Sequence, residues 1–146
     1  MKVINLQIKI EEFDQISDLN QEDQKLLRTA WDACDSAYAP YSKFNVGAAV
    51  LLDNGKIVSG NNQENAAYPS GLCAERVAMY YASAQNPGVP MKAIAVAVKS
   101  EEVPLEDPAS PCGSCRQVMA EYENLYHTKM RIILGSPHTK IQILEG

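Results

Sequence analysis

The sequence has no apolar run approaching the ~20 residues a membrane span requires, no cluster of Lys or Arg, and few ring side chains, with two histidines, one tryptophan and two phenylalanines. Each shortage excludes something. Without a long apolar run no anchor is expected, and neither is a leader, since the opening residues alternate polar with apolar where a leader would be continuously apolar. A cytoplasmic protein with no membrane partner is therefore expected. The 13 basic residues are scattered and outnumbered by 18 acidic ones, for a net charge of −5. A polynucleotide needs clustered cations to displace the counterions around its phosphates, so the charge argues against DNA or RNA as substrate and a small neutral one is expected. His127 and His138 stand at no ligand-like spacing from the cysteines and read as surface groups near loops.

What is there is one folded domain. A length of 146 residues with 46% hydrophobic and 21% charged residues suits a compact core. Residues 1–19 read as an N-terminal extension with a strand, since Ile4, Leu6, Ile8 and Ile10 alternate with polar residues. The main domain is expected over 20–146. Asn20 caps a helix whose apolar face is Leu27, Ala30, Trp31, Cys34 and Ala37, ending near Ala39-Pro40. Val46 to Leu52, the turn Asp53-Asn54-Gly55 and Lys56 to Ser59 form a hairpin. A polar loop runs from Asn61 to Gly71, and helices are expected over 73–84 and 113–125, with Tyr80 and Tyr81 packing against the first. Strands follow the same reading at 93–98, 130–134 and near 141–144, with a loop over 101–111. The order predicts an α/β layer fold, a mixed sheet with helices on its faces.

Four cysteines in such a chain point to metal or thiol chemistry rather than disulfides. Cys112 and Cys115 lie three apart in Pro111-Cys112-Gly113-Ser114-Cys115, and Cys73 stands 39 positions before Cys112. Both segments open a predicted helix, where free N–H groups and the dipole favour thiolates. Three sulfurs would leave a tetrahedral zinc one open position for water, the catalytic arrangement. Glu75, two residues past the first sulfur, can reach that water without binding metal. Two other readings of the same residues stand beside this one. Cys112 and Cys115 alone fit a redox dithiol, and Cys34 could close the site with a fourth sulfur, although its place in an apolar helix face suits a small core residue better.

Cys73-Ala74-Glu75-Arg76 followed by Pro-Cys-x-x-Cys resembles the signature of zinc nucleobase deaminases, and its three-cysteine form is similar to the small homotetrameric cytidine deaminases. Two further segments extend the resemblance. Tyr41-Ser42-Lys43-Phe44-Asn45-Val46-Gly47-Ala48-Ala49 is similar to that family's Y-S-x-F-x-V-G-A-A, and Asn62 to Tyr68 to its nucleoside-binding N-x-E-N-A-x-Y. The resemblance runs from about Ala37 to Glu121. Deaminases that use His as first ligand, among them tRNA adenosine and deoxycytidylate deaminases, match less well. Blasticidin-type deaminases share the three-cysteine site but not the Asn62–Tyr68 segment. A non-catalytic structural zinc module is the remaining alternative.

The resemblance implies a three-layer α/β/α sandwich with a mixed sheet of about five strands, and one zinc per subunit on Cys73, Cys112 and Cys115. It implies Glu75 as proton shuttle, Asn62 and Glu64 on the ribose 3′-hydroxyl, Phe44 on the base and the Ala74 N–H on the pyrimidine O2. Arg76, with the two helix ends, would offset the thiolate charge. Ala66 and Tyr68 would complete a neighbouring pocket in a homotetramer. The implied reaction is deamination of cytidine and deoxycytidine to uridine and deoxyuridine in pyrimidine salvage. The sequence departs from the family pattern in lacking a Leu-Leu-Pro segment with a following phenylalanine, so either the chain is shortened at this end or other residues cover the site.

Overall fold

The computed structural model describes residues 1–102, 105 and 107–145. Nine principal elements follow one another: β1 (Ile10–Phe13), α1 (Gln21–Ala33), β2 (Asn45–Leu52), β3 (Ile57–Asn61), α2 (Ala74–Gln85), β4 (Met91–Lys99), α3 (Gly113–Tyr126), β5 (Arg131–Leu134) and β6 (Ile141–Glu145). The strands form a single sheet in the order β1-β6-β5-β4-β2-β3. β4 and β5 are parallel and every other pair is antiparallel. The mixed sheet is as expected, with six strands where about five were expected.

Period-two alternation sorts the core into two layers. Ala49 and Leu51 of β2, with Ala93, Ala95 and Ala97 of β4, face Leu26, Leu27 and Ala30 of α1. Ala48, Val50, Ile94 and Val96 face the other way, onto Ala74, Ala78 and Ala82 of α2 and Met119 of α3. The result is the expected α/β/α sandwich. Small residues let the helices approach closely. A Cβ on Gly47 would lie 1.9 Å from the Ala30 carbonyl oxygen, and one on Gly60 would lie 2.7 Å from the Ala78 nitrogen.

Helix α1 starts as its sequence demands: the Asp23 N–H donates to Asn20 Oδ1 at 2.9 Å. Asp23 is also held by Arg131, whose Nη2 lies 2.6 Å from Oδ2, so the helix start is tied to β5. The helix stops at Ala33 and gives way to a 3₁₀ turn over Cys34–Ser36, earlier than the expected end at Ala39-Pro40. The cause is tertiary. Asn61 Nδ2 donates to the Ala33 carbonyl at 2.9 Å and Asn45 Nδ2 to the Cys34 carbonyl at 3.2 Å. Two strand side chains thus cap the helix end before the proline acts.

Other readings hold or shift. Gly55 adopts φ +84° in the hairpin turn, as a positive-φ position should. Strand pairing begins at Ile10, where β6 supplies a partner, and Ile4, Leu6 and Ile8 are exposed and outside any strand. Tyr80 and Tyr81 do not pack under α2 and are 45% and 57% exposed, because Ala78, Met79 and Ala82 fill the core face of that helix. The loop expected over 101–111 includes residues 103, 104 and 106, which lie outside the described residues. No helix among the described residues is long and apolar enough to cross a membrane.

The Gly47 contact gives a direct test of this packing. Gly47→Ala should cost about 3 kcal/mol of unfolding free energy in urea titration, the upper end of overpacking effects, because backbone and not a mobile side chain must move. A midpoint unchanged from the parent would show that α1 slides freely on the sheet.

Candidate metal centre and the cleft beside it

The topology brings two helix beginnings together. A short turn joins the end of α2 to the start of β4, so α2 runs back along that strand and its first residue lies near the strand's far end. Helix α3 follows that same end, with residues 100–112 between them. Cys73 is the N-cap of α2, Cys112 the N-cap of α3, and Cys115 lies in the first turn of α3. Three cysteines distant in sequence therefore meet where both helices present unpaired N–H groups and partial positive charge.

The sulfur spacing fits a metal. Cys73 Sγ lies 3.8 Å from Cys112 Sγ, and Cys112 Sγ lies 3.5 Å from Cys115 Sγ. All three sulfurs fall within 4.8 Å of one another. Tetrahedral zinc with bonds of ~2.3 Å sets its sulfurs roughly 3.8 Å apart. Among the described residues no other His, Cys, Asp or Glu completes the group, so the donor set is three thiols with a fourth position free for a non-protein ligand. Cys34 is not part of it. Its side chain is fully buried in the α1 layer, its Sγ donating to the Ala97 carbonyl at 3.4 Å, and burial pushes its thiol up to about 11. It is the core residue that its helix face suggested.

Charge is managed locally. The neighbouring Cys115 thiol draws the Cys73 thiol down to about 5 against the cost of burial, with Arg76 adding to the effect. Cys115 is held up in turn, first by Cys73 and then by burial. Three sulfurs this close cannot all ionise unless a cation shares the site. Arg76 supplies one positive group, its Nη2 donating to Cys73 Sγ at 3.5 Å. Its Nε is buried without a partner among the described residues. Glu75 is 4% exposed, and burial followed by the Cys73 sulfur raises its carboxyl above the usual carboxylate range.

Beside the sulfurs opens a cleft of about 930 Å³. Phe44, Asn62, Glu64, Ala66, Tyr68, Cys73, Glu75, Arg76 and Cys112 all line it. Ala74 is not among the lining residues; it is buried as the first residue of α2, where the N–H has no intrahelical acceptor. Asn62 is clamped to β2, its Oδ1 accepting from the Val46 N–H and its Nδ2 donating to the Phe44 carbonyl, both at 2.8 Å. One Nδ2 hydrogen is left over. Glu64 accepts from the Ser42 hydroxyl at 2.7 Å and from the Ser42 N–H at 3.2 Å. Tyr68 stands at the rim, 91% exposed.

The profile of the cytidine and deoxycytidylate deaminase zinc-binding region matches residues 20–128. The chain belongs to this deaminase family. A cytidine deaminase of Halalkalibacterium halodurans is 40% identical over 119 residues, covering 82% of this chain and 83% of that protein. One from Sporosarcina psychrophila is 47% identical over 102 residues, or 69% of this chain and 70% of that protein. The crystal structure of a cytidine deaminase from Burkholderia pseudomallei superposes with a TM-score of 0.69 at 37% identity, covering 82% of this chain and 88% of that one. A zinc-binding family and a three-thiol cluster of zinc dimensions agree on the metal.

The sequence reading missed part of this deaminase cleft. Ser42 was quoted within a motif, but its bonds to Glu64 span 22 positions and no local spacing reveals them. Val96 and Val98 line the cleft floor from the end of β4. In sequence they belong only to the apolar run of the strand expected over 93–98, and an apolar run does not separate core from pocket wall. His127 and His138 are exposed, the latter meeting Trp31 edge-on with ring centroids 5.4 Å apart. Neither approaches the sulfurs closely enough to join their group.

Metal analysis checks the donor set. The parent and Cys34→Ser should each carry one zinc per chain, while Cys115→Ser should lose at least about 10-fold in zinc affinity, the low end of what even second-shell changes cost. Zinc loss in Cys34→Ser, with retention in Cys115→Ser, would overturn the assignment.

Proposed function

We propose that this chain hydrolyses the 4-amino group of cytidine and deoxycytidine, giving uridine or deoxyuridine and ammonia in pyrimidine salvage. The observation that carries the proposal is Glu75: a buried carboxyl, raised in proton affinity, that lines the cleft beside the three-sulfur cluster without joining it. Zinc on Cys73, Cys112 and Cys115, when bound, supplies the Lewis acid that readies water as a nucleophile near neutral pH.

The chain's own residues do the rest. Glu75 accepts a proton from the attacking water and passes it to ring N3, which makes C4 electrophilic. Once C4 is tetrahedral, Glu75 takes the remaining hydroxyl proton and gives it to the departing amine. The C4 carbonyl forms, N3 keeps its hydrogen, and ammonia leaves. A shuttle must both take and release protons at the working pH, so the upward shift of Glu75 suits the role. Arg76 and the two helix ends draw charge from the sulfurs. In this reading the Ala74 N–H holds the pyrimidine O2 and Phe44 packs on the base.

Asn62 and Glu64 are assigned to the ribose 3′-hydroxyl. Their backbone and Ser42 bonds fix both side chains before substrate arrives, and each keeps hydrogen-bonding capacity in reserve. The lining also favours a nucleoside over a nucleotide. Arg76 is the one cation among the described lining residues, and it is engaged with Cys73. A phosphate would need another.

The proposed assembly is a homotetramer with shared pockets, in the cytoplasm, where thiols stay reduced. The open cleft and the protruding Tyr68 support sharing, since a nucleoside site buries most of its ligand. Tyr68→Ala should raise KM, and dilution should lower specific activity as subunits part. A fully active monomer by light scattering at assay concentration would refute the shared pocket.

The chemical step has its own test. Glu75→Gln should keep zinc content and fold while kcat for cytidine, followed by ultraviolet absorbance, falls by about 10³-fold or more, because every proton transfer loses its carrier. Near-parental turnover in that variant would remove the mechanism.

A further inference from the structure

The first residues of the chain carry a feature that the deaminase reading does not use. β1 closes one end of the sheet, so its outer N–H and C=O groups have no neighbouring strand among the described residues. Ahead of it, Ile4, Leu6, Ile8 and Ile10 are 72%, 91%, 78% and 50% exposed. An alternating apolar stripe leading into an open edge is a template for pairing with another strand. Proteins normally blunt such an edge with charge, and on the stripe's own face charge stands only at its two ends, at Lys2 and Glu12, while Lys9 and Glu11 alternate onto the opposite face.

We infer that residues 2–12 pair antiparallel with the same residues of a second copy, about a two-fold axis at Gln7, joining two six-stranded sheets edge to edge. The register follows from side-chain chemistry. With Gln7 opposite itself, Ile4 faces Ile10 of the second copy, Leu6 faces Ile8, and Lys2 faces Glu12. The stripe becomes four apolar pairs closed at each end by opposite charges, the pairing that stabilises antiparallel strands. A shift of two residues in one direction sets Ile4 against Glu12, and in the other Lys2 against Ile10. No other even register keeps both the apolar and the ionic pairs.

The remaining contacts are compatible. Ile10 and Glu12 share a sheet face with Leu144 and Gln142 of β6, so the apolar stripe continues the face on which Leu144 packs. On the opposite face Lys9 is already paired with Glu11 of its own chain, and the second copy presents neutral Asn5 and Val3 to them. Glu12 accepts from Lys140 Nζ at 2.9 Å and from Gln142 Nε2 at 3.2 Å, one on each carboxylate oxygen, and the further lone pairs of those oxygens are the acceptors for Lys2. An isologous two-fold contact of this kind closes on itself, and within the proposed homotetramer it is one of the two-fold contacts, separate from the one that would share pockets. It lies beyond β5 and β6 from β4, whose end lines the cleft, and it does not depend on the shared-pocket proposal.

The test uses the zinc-loaded full chain. Leu6→Lys with Ile8→Lys sets lysine against lysine across the axis. By light scattering the assembly mass should fall to half that of the parent, with zinc per chain and cytidine turnover unchanged. Under mild oxidation Gln7→Cys should give a covalent dimer through residue 7, identified by peptide mass, whereas Lys9→Cys, opposite Asn5, should not. An unchanged mass in the double lysine variant would overturn the pairing, and is the result expected if the stripe folds onto its own chain or serves another partner. Equal crosslinking at positions 7 and 9 would overturn the register.

Discussion

Three thiols held within bonding reach of one ion constrain almost everything else in the molecule. Sulfurs this close repel once ionised, so the fold must supply positive charge from several directions. It does so with the N-termini of α2 and α3, with Arg76 against Cys73, and with room for a cation among Cys73, Cys112 and Cys115. Both helix beginnings must therefore lie at one point. The α2–turn–β4–loop–α3 sequence achieves this because α2 returns along β4 and α3 departs from that strand's far end. Close packing keeps it fixed: Gly60 lets α2 rest on β3, and the alanines of α2 and β2 leave no slack between layers.

The same convergence places the carboxyl proposed as proton carrier. Glu75 sits in the first turn of α2, two residues from a metal-ligand candidate, so the helix that delivers Cys73 also delivers the carboxyl. Burial raises its proton affinity while its position keeps it outside the sulfur group. The wall opposite is built by side chains that brace backbone. Asn62 clamps the start of β2, and Glu64 with Ser42 holds the turn before it. The cleft is thus largely organised by hydrogen bonds internal to the chain, which is how a binding site avoids an ordering cost on ligand entry.

Much of this was legible in the sequence, for identifiable reasons. The strands β2 and β4 announced themselves by apolar, β-branched runs, the hairpin by Asn54-Gly55, and α1 by the Asn20 cap. The sulfur set was legible because two cysteines three apart must share a helix turn, and the third accompanied Glu75. What stayed hidden depends on partners far along the chain. The end of α1 at Ala33 is set by Asn61 and Asn45, and Ser42 matters through Glu64. Strand β1 starts later than its alternation suggested because only Ile10 to Phe13 meet β6. Tyr80 and Tyr81 misled because an aromatic pair on a helix resembles core until the alanine face is seen to fill it.

The central claim is that three sulfurs, and not four, hold the metal beside Glu75. X-ray absorption at the zinc edge of the loaded protein measures this directly. The account predicts three sulfur scatterers at ~2.3 Å and one lighter oxygen or nitrogen scatterer at ~2.0 Å. Four sulfurs, with no light scatterer in the first shell, would describe a closed structural site and contradict the account.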